Sequence, residues 1–154
     1  MRVVVTGGAG FIGANLCRTL ADRGVEQVVA LDDLSTGRKE NLDGVAAELV
    51  VGSILDRGAT ESVLAGADSV VHLAARPSVP KSIEDPVASH DANATGTVTV
   101  LESARAVGTG HVVMASSSSV YGANPVLPKH EDLCPMPVSP YAASKLAAES
   151  AGLE

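Results

Sequence analysis

Five short apolar runs recur along the chain with helical patterns between them, and this alternation constrains the fold more than any other feature. The runs are RVVVT (2–6), QVVAL (27–31), ELVVG (48–52), SVVHLA (69–74) and HVVMAS (111–116). They are continuous rather than alternating, which is typical of strands buried on both faces. The intervening helical patterns are FIGANLCRTLADRG, DRGATESVLAG and DANATGTVTVLESARAVG, each closed by a glycine. The alternation predicts an α/β fold with a doubly wound parallel sheet and right-handed crossovers.

The composition excludes several classes of partner. Of the 154 residues, 45% are hydrophobic, yet only three are aromatic, so we expect a core of Val, Leu, Ile and Ala. A net charge of −7 argues against nucleic acid and anionic membrane surfaces as partners. Cys17 and Cys134 form neither a disulfide framework nor a metal-type spacing, and we expect Cys17 to be a buried residue of the first helix. With no signal peptide and no membrane-length apolar run, the expected location is cytoplasmic.

Two irregular stretches and the last helix complete the pattern. ARPSVPKSIEDP (75–86) and GANPVLPKHEDLCPMPVSP (122–140) each follow a strand, at the edge of the sheet where open α/β sheets bind ligands. A helix is predicted from about Tyr141, and no strand follows it. We therefore expect an incomplete sheet.

A glycine cluster directly follows the first strand and precedes the first helix. The glycines are Gly7, Gly8, Gly10 and Gly13. Gly7 would permit a sharp turn, Gly10 a close approach of the backbone to a pyrophosphate, and Gly13 close packing of helix on strand. The amides around Phe11 and Ile12 would then face phosphate oxygens. The alternative is a glycine-rich turn without a ligand.

Asp32 favours the dinucleotide interpretation. It ends the second strand, 19 residues after Gly13, where an acidic side chain can hold both hydroxyls of a ribose. A carboxylate there also repels a 2′-phosphate, so NAD is favoured over NADP, although Arg38 and Lys39 weaken that preference. Taken alone, Asp32 could equally be a solvated carboxylate at a strand end.

YAASK places Tyr141 and Lys145 four residues apart on one helical face. A tyrosine is a poor base at neutral pH unless neighbouring positive charge stabilises its phenolate. A nearby ammonium therefore makes general-base catalysis feasible. Upstream, the four serines 116–119 follow a strand, and any of them could donate a hydrogen bond to a substrate oxygen. The alternatives are an ordinary helix start and a polar loop.

In combination these motifs resemble the extended short-chain dehydrogenase/reductase superfamily, in its NAD-dependent epimerase/dehydratase family, most closely the UDP-sugar 4-epimerases. The resemblance rests on TGGAGFIG, LDDLSTG, HLAA, SVPKSIEDP, NATGT, SSSSVYG and SPYAASK. It implies one incomplete NAD-binding, Rossmann-like domain over residues 1–154, truncated before its last strands and before a C-terminal domain that holds the nucleotide-sugar. This chain alone is then expected to be inactive or nearly so.

The resemblance also implies a role for individual residues. The expected NAD contacts are Gly7, Gly10, Phe11, Ile12, Gly13, Asp32, Asp33, Ser35, Thr36, Gly37, Ser53, Ile54, Leu73, Ala74, Ala75, Asn93, Tyr141 and Lys145. Ser117 takes the place of the catalytic Ser/Thr, Tyr141 that of the base, and Lys145 that of its partner. Ser53 departs from the family, which has an acidic residue there. A homodimer through the helices around 85–107 and from 141 is also implied, although those faces could pack on the chain's own sheet.

The residues after Ser117 bear on the reaction. Dehydratases of this family carry an Asp-Glu pair there, whereas this chain has Ser118 and Ser119. The resemblance thus favours epimerisation of a UDP-sugar at C4, by transient oxidation and return of hydride. The alternatives are a nucleotide-sugar dehydratase or reductase, and an NAD-binding module without catalysis.

Overall fold

The computed structural model describes residues 1–152 and confirms the predicted parallel sheet. Its five strands are β1 (Arg2–Thr6), β2 (Gln27–Asp32), β3 (Glu48–Val51), β4 (Ser69–His72) and β5 (His111–Met114). All neighbouring strands are parallel, and their order across the sheet is β3-β2-β1-β4-β5. This order is that of the first five strands of a Rossmann-like fold.

Six α-helices lie within the described residues. They are α1 (Phe11–Asp22), α2 (Arg57–Leu64), α3 (Val79–Glu84), α4 (Pro86–His90), α5 (Gly96–Val107) and α6 (Pro140–Ala151). The glycines predicted to close the three helical patterns are confirmed, since Gly24, Gly66 and Gly108 have φ of +80°, +72° and +75°. None of the helices in residues 1–152 has the length and apolar character needed to cross a membrane.

The stretch 75–86 is more ordered than expected, because it contains α3. Ser78 caps this helix by accepting a hydrogen bond from the backbone N–H of Lys81, and Pro80 lies in its first turn. The helix predicted from residue 91 also begins differently. α4 precedes it, and a π-helical turn over Asp91–Thr95 joins α4 to α5. The sequence pattern missed α3 because the three prolines and the charges of the stretch 75–86 resemble a loop.

The chain divides into two compact units, which we describe separately. The first comprises residues 1–74 and 99–115, and the second comprises residues 75–98 and 116–154, of which 153 and 154 lie outside the described residues. The sheet belongs to the first unit. The second unit contains α3, α4, the π-helical turn, the first residues of α5, and α6.

Both faces of the sheet in the first unit are covered. Val4 packs with residues of α2 and α5 in one apolar cluster, whereas Val3 and Val5 pack with Ala14 and Cys17 of α1 in another. Cys17 is fully buried, as predicted. Alternate residues of one strand thus enter two cores, which explains why the strands are continuous apolar runs.

Candidate functional site

The turn after β1 depends on glycine because its backbone touches the neighbouring strand. Gly7 has φ of +69°, and its N–H donates to the carbonyl of Leu31 at 2.8 Å. A Cβ on Gly7 would lie 2.8 Å from the backbone nitrogen of Ala74. The sharp turn expected at Gly7 is therefore present, directly against the segment that follows β4.

Gly13 and Gly8 allow the first turn of α1 to approach the sheet. A Cβ on Gly13 would lie only 2.1 Å from the carbonyl oxygen of Gly7. A Cβ on Gly8 would lie 2.5 Å from the Cβ of Ala30 on β2. Sequence reasoning counted Gly8 in the motif without giving it a function, and its packing against Ala30 supplies one.

The N-terminus of α1 has free donors. The helix ladder begins with the N–H of Ala14, which donates to the carbonyl of Gly10 at 2.9 Å, and no side chain in the described residues caps the helix at Gly10. The N–H groups of Phe11 and Ile12 therefore have no partner within the helix. Both side chains are exposed, at 83% and 68%. Such a helix start can bind an anion through backbone N–H groups and the helix dipole.

Asp32 lies at the end of β2 and is nearly buried, with 7% of its surface exposed. Its Oδ2 accepts the N–H of Ala9 at 3.0 Å, and its Oδ1 accepts the N–H of Leu34 at 2.8 Å. A Cβ on Gly37 would lie 2.7 Å from this carboxylate. Each oxygen keeps further acceptor capacity, so the carboxylate is fixed in place and can still receive hydroxyl groups.

The carbonyl of Ala9 joins the glycine turn to the residues after β2. It accepts hydrogen bonds from the backbone of Arg38 at 3.0 Å and from the side-chain amide of Asn41 at 2.7 Å. Sequence reasoning did not find Asn41. The only signal was its position four residues after Gly37, and spacing alone does not reveal a contact with Ala9.

A buried hydrogen-bond group supports the segment after β4. The hydroxyl of Thr6 lies 2.6 Å from Nδ1 of His72 and accepts the N–H of Ala74 at 3.2 Å. Thr6 and His72 are both buried. The motif HLAA was noticed in the sequence, but only the structure shows that its histidine holds the polar end of β1.

The other predicted cofactor contacts in the first unit differ in how exposed their side chains are. Asp33, Ser35 and Thr36 are exposed, and Asp33 accepts the N–H of Ser35 at 2.9 Å. Leu73 and Ala74 are half-buried. The hydroxyl of Ser53 accepts the N–H of Leu55, whereas the side chain of Ile54 packs in the core. At position 54 only the backbone therefore remains for a ligand.

In the second unit, Asn93 lies in the π-helical turn and is almost completely buried. Its Oδ1 accepts the N–H of Arg76 at 2.7 Å, and its Nδ2 faces the carbonyl of Arg76 at 3.4 Å. The expected effect of Asn93 on nearby backbone is thus directed at Arg76, next to Ala75. Turns of the π type are frequent at functional sites.

Tyr141 and Lys145 lie in the first two turns of α6. Ser139 caps this helix by accepting the N–H of Ala142 at 3.1 Å, and Pro140 occupies its first position. Lys145 is 7% exposed. Burial lowers the pKa of its ammonium below the ordinary value of 10.5, while the carboxylate of Glu149 acts in the opposite direction.

The serines after β5 differ in their contacts. Ser117 is half-buried and caps a 3₁₀ turn over Ser118–Tyr121, its Oγ accepting the N–H of Ser119 at 3.2 Å. Its hydroxyl hydrogen stays available for donation. Ser116 instead donates to Oε2 of Glu149 at 2.5 Å. Of these two, Ser117 is the one without a carboxylate partner.

Comparison with known proteins identifies the family. The family model described as "NAD dependent epimerase/dehydratase family" matches residues 3–153. The chain belongs to this family. The resemblance carried by the seven motifs is therefore confirmed.

The family members most relevant here are epimerases and a dehydratase. UDP-glucose 4-epimerase from Mycolicibacterium smegmatis is 46% identical over 156 residues, which cover 97% of this chain and 49% of that protein. The crystal structure of UDP-glucose 4-epimerase from Brucella ovis in complex with NAD has a TM-score of 0.91 and 35% identity, covering 97% of this chain and 46% of that chain. A dTDP-glucose 4,6-dehydratase from Streptomyces venezuelae, with NAD bound, has a TM-score of 0.93 and 37% identity, covering 98% and 50%. The chain spans about half the length of the curated relatives it matches.

Proposed function

We propose that this chain binds NAD and that the intact protein is a nucleotide-sugar 4-epimerase, with a UDP-sugar as substrate. The observation that carries the proposal is the pairing of Tyr141 with the buried Lys145 one helical turn later on α6. A purely cofactor-binding module does not need a buried ammonium one helical turn after a tyrosine. Burying that charge is unfavourable, and such unfavourable arrangements concentrate at functional sites.

NAD binding is supported by the first unit. The glycine turn leaves no space for a Cβ at Gly7 or Gly13, and the N-terminus of α1 has free N–H groups, so the backbone fits a pyrophosphate. Asp32 is fixed where a ribose diol can donate to it, and its charge disfavours a 2′-phosphate. The relatives from Brucella ovis and Streptomyces venezuelae were solved with NAD.

The remaining predicted cofactor contacts belong to the same proposal. Exposed residues would meet the adenosine ribose, and the half-buried residues after β4 would lie under the cofactor. The first group is Asp33, Ser35 and Thr36, with buried Gly37 beside them, and the second is Leu73, Ala74 and Ala75. Ser53 and the backbone of Ile54 would face the adenine, and Asn93 would act through the backbone of Arg76.

In the proposed reaction Tyr141 removes the proton from the 4′-hydroxyl of the sugar. The ammonium of Lys145 stabilises the phenolate, and Ser117 donates a hydrogen bond to the reacting oxygen. Bound NAD supplies the hydride acceptor for C4 and the hydride donor for the return step. The 4-keto sugar rotates between the two steps, so Tyr141 returns its proton to the opposite epimer, and neither water nor a net redox change results.

A dehydratase is the second candidate, because the structural similarity to the dTDP-glucose 4,6-dehydratase is as high as that to the epimerase from Brucella ovis. Expulsion of a hydroxyl needs an acid to protonate it. The chain has Ser118 and Ser119 directly after Ser117, and neither can supply that proton readily. This local difference favours the epimerase.

The test is product analysis with the intact protein, UDP-glucose or UDP-galactose, and NAD. We expect the 4-epimer with unchanged mass and no accumulation of NADH. Loss of one water from the product would establish the dehydratase instead, and accumulation of NADH would establish a dehydrogenase.

Tyr141→Phe tests the assigned base. Turnover should fall at least about 100-fold, the lower range for general acid–base catalysis, while NAD binding measured by fluorescence titration is retained. Tyr121→Phe is the matched control, since Tyr121 is the other tyrosine of the chain, and its activity should stay close to that of the parent. Undiminished activity in Tyr141→Phe would refute the assignment.

We also propose that the intact protein forms a homodimer. Ile83 of α3 and Val87 of α4 are 66% and 68% exposed, which gives this part of the second unit apolar surface for a second copy. Light scattering of the intact protein checks it: a mass of two chains is expected, and Ile83→Asp with Val87→Asp should reduce it to one.

A further inference from the structure

The backbone of Tyr141 is held on both sides by buried serine hydroxyls. Its N–H donates to Oγ of Ser82 at 3.0 Å, and its carbonyl accepts from Oγ of Ser144 at 2.8 Å. Both serines are 0% exposed. SVPKSIEDP and SPYAASK contain them, but the proposed function gives neither serine a task.

The hydroxyl of Ser82 is oriented by a second hydrogen bond, within its own helix. It lies on α3, and its hydroxyl donates to the carbonyl of Val79 at 2.7 Å, which orients the oxygen lone pairs toward other donors. The N–H of Tyr141 is one of the first donors of α6 and has no partner within that helix. Ser82 satisfies it from a different helix, so the start of α6 is tied to α3.

Ser144 connects the same helix turn to the π-helical turn. Its hydroxyl accepts from Nδ2 of Asn93 at 3.0 Å and donates to Tyr141. Asn93 is in turn held by the backbone of Arg76. The carbonyl of Tyr141 is the one that accepts the N–H of Lys145 in a regular helix, so Ser144 acts where the two proposed catalytic residues are joined.

The geometry points to Ser82 and Ser144 as positioning residues that set the location of the Tyr141 phenol, one through its N–H and the other through its carbonyl. This inference rests on the proposed function, in which Tyr141 is the base. Neither serine touches substrate or cofactor in this scheme. Small displacements of a catalytic group can reduce rates by up to about 100-fold, so removal of either hydroxyl should act on turnover rather than on binding.

The first experiment compares Ser82→Ala and Ser144→Ala with the parent in the intact protein. We expect kcat to fall roughly tenfold in each, with KM and the Kd for NAD changed by less than about twofold. Ser144→Thr, which restores a hydroxyl, should recover most of kcat. Equal kcat in the parent and in both alanine variants would overturn the inference, as would an equal loss in Ser144→Thr and Ser144→Ala.

Matched controls separate positioning from a general loss of order. Ser78→Ala removes the cap of α3, the helix that carries Ser82, without touching Tyr141. Ser103→Ala removes a buried hydroxyl that has no hydrogen-bond partner within residues 1–152. Both controls should keep the kcat of the parent, and a tenfold loss in them would show that any buried or capping serine has the same effect.

A second readout does not depend on activity. In the intact protein, ring-¹³C tyrosine labelling gives a resonance for each tyrosine, and Tyr141→Phe and Tyr121→Phe assign the resonances of the two tyrosines in this chain. The chemical shift of the Tyr141 resonance should change in Ser82→Ala and Ser144→Ala but not in Ser78→Ala.

The outcomes for the proposed function and for the positioning role can be told apart. If the parent does not epimerise UDP-sugars, the proposed function fails, and the chemical shift of Tyr141 still tests the positioning role. If Tyr141→Phe is inactive while both serine variants keep kcat and resonance, the positioning role alone is wrong. If Ser144→Ala does not fold, Ser82→Ala alone tests the positioning role, since Ser82 binds the N–H of Tyr141 and Ser144 binds its carbonyl.

Discussion

The two units of this chain build their candidate sites in opposite ways. In the first unit the site consists of backbone: glycines without side chains, the open start of α1, and one carboxylate held by main-chain N–H groups. In the second unit it consists of side chains, with Tyr141, Lys145 and Ser117 carried on a helix and a short turn. A backbone site is damaged by adding atoms, whereas a side-chain site is damaged by removing them.

Substitutions in the two units should therefore have different effects. Additions at the glycine turn should affect folding or cofactor affinity, whereas deletions on α6 should act mainly on turnover. The following substitutions test that separation, in order of decreasing expected effect.

Lys145→Met should abolish turnover without reducing stability. Loss of the ammonium one helical turn after Tyr141 should lower kcat at least about 100-fold. The free energy of unfolding should be equal or higher, because a buried charge is replaced by an apolar chain of similar length. Lys81→Met, at an exposed lysine of α3, should change neither quantity. Denaturant unfolding and steady-state kinetics check both, and a strongly destabilised Lys145→Met would contradict the idea that this burial is unfavourable.

The difference in free energy of unfolding between Lys145→Met and the parent should depend on pH. Burial lowers the pKa of Lys145, so the unfolded chain binds this proton more tightly than the folded chain. The resulting penalty is complete below the folded pKa and disappears as the pH rises past the ordinary value of 10.5. The stability advantage of Lys145→Met should therefore shrink as the pH approaches that value, and a growing advantage would show the opposite sign.

Gly13→Ala should destabilise the first unit. The added Cβ would lie 2.1 Å from the carbonyl oxygen of Gly7, so α1 must move away from the sheet. We expect a loss of about 3 kcal/mol in the free energy of unfolding, the upper range for overpacking. Gly58→Ala on α2 is the matched control. Its Cβ would make only an ordinary van der Waals contact, 3.6 Å from Oδ1 of Asp56, so the substitution should be neutral or stabilising by up to about 1 kcal/mol. Similar stabilities for the two variants would show that the close approach at Gly13 is dispensable.

Gly10→Ala distinguishes a glycine needed for the fold from one needed for a ligand. Gly10 has φ of −74°, and its Cβ would meet only the carbonyl of Gly7, at 3.2 Å. The free energy of unfolding should therefore change by less than about 1 kcal/mol. If a pyrophosphate approaches this backbone, the Kd for NAD should rise roughly tenfold, about 1.4 kcal/mol, in a fluorescence titration. An unchanged Kd would place the pyrophosphate elsewhere.

The smallest effect concerns the two thiols, one in each unit. Burial raises the pKa of the Cys17 thiol to about 11, and the side chain is fully buried, whereas Cys134 is exposed. At neutral pH a maleimide should label Cys134 within minutes and Cys17 only as the first unit opens. Mass spectrometry of timed samples measures this, and Gly13→Ala should speed labelling of Cys17. Equal rates for both thiols in the parent would mean that α1 does not protect Cys17.

Most of the fold could be predicted from the sequence, which also named the residues of the candidate site. Strand positions agree within about two residues because both faces of a parallel sheet must be apolar, which leaves a local signature in each run. The glycine turn and Asp32 were found for a similar reason, since each is required at a fixed distance from a strand end. α3 was missed, because its proline, Pro80, suits the first turn of a helix as well as a loop.

Contacts between distant segments could not be predicted in this way. The chain alone indicates a parallel sheet, a phosphate-binding turn, and a Tyr-Lys pair, because periodicity, backbone freedom and helical spacing are local properties. Only the tertiary structure shows that Asn41 binds Ala9, that Thr6 meets His72, and that Ser82 holds the N–H of Tyr141. These partners are 32, 66 and 59 residues apart. A hydrogen bond depends on where two segments come to lie, and that is decided by packing of the whole unit.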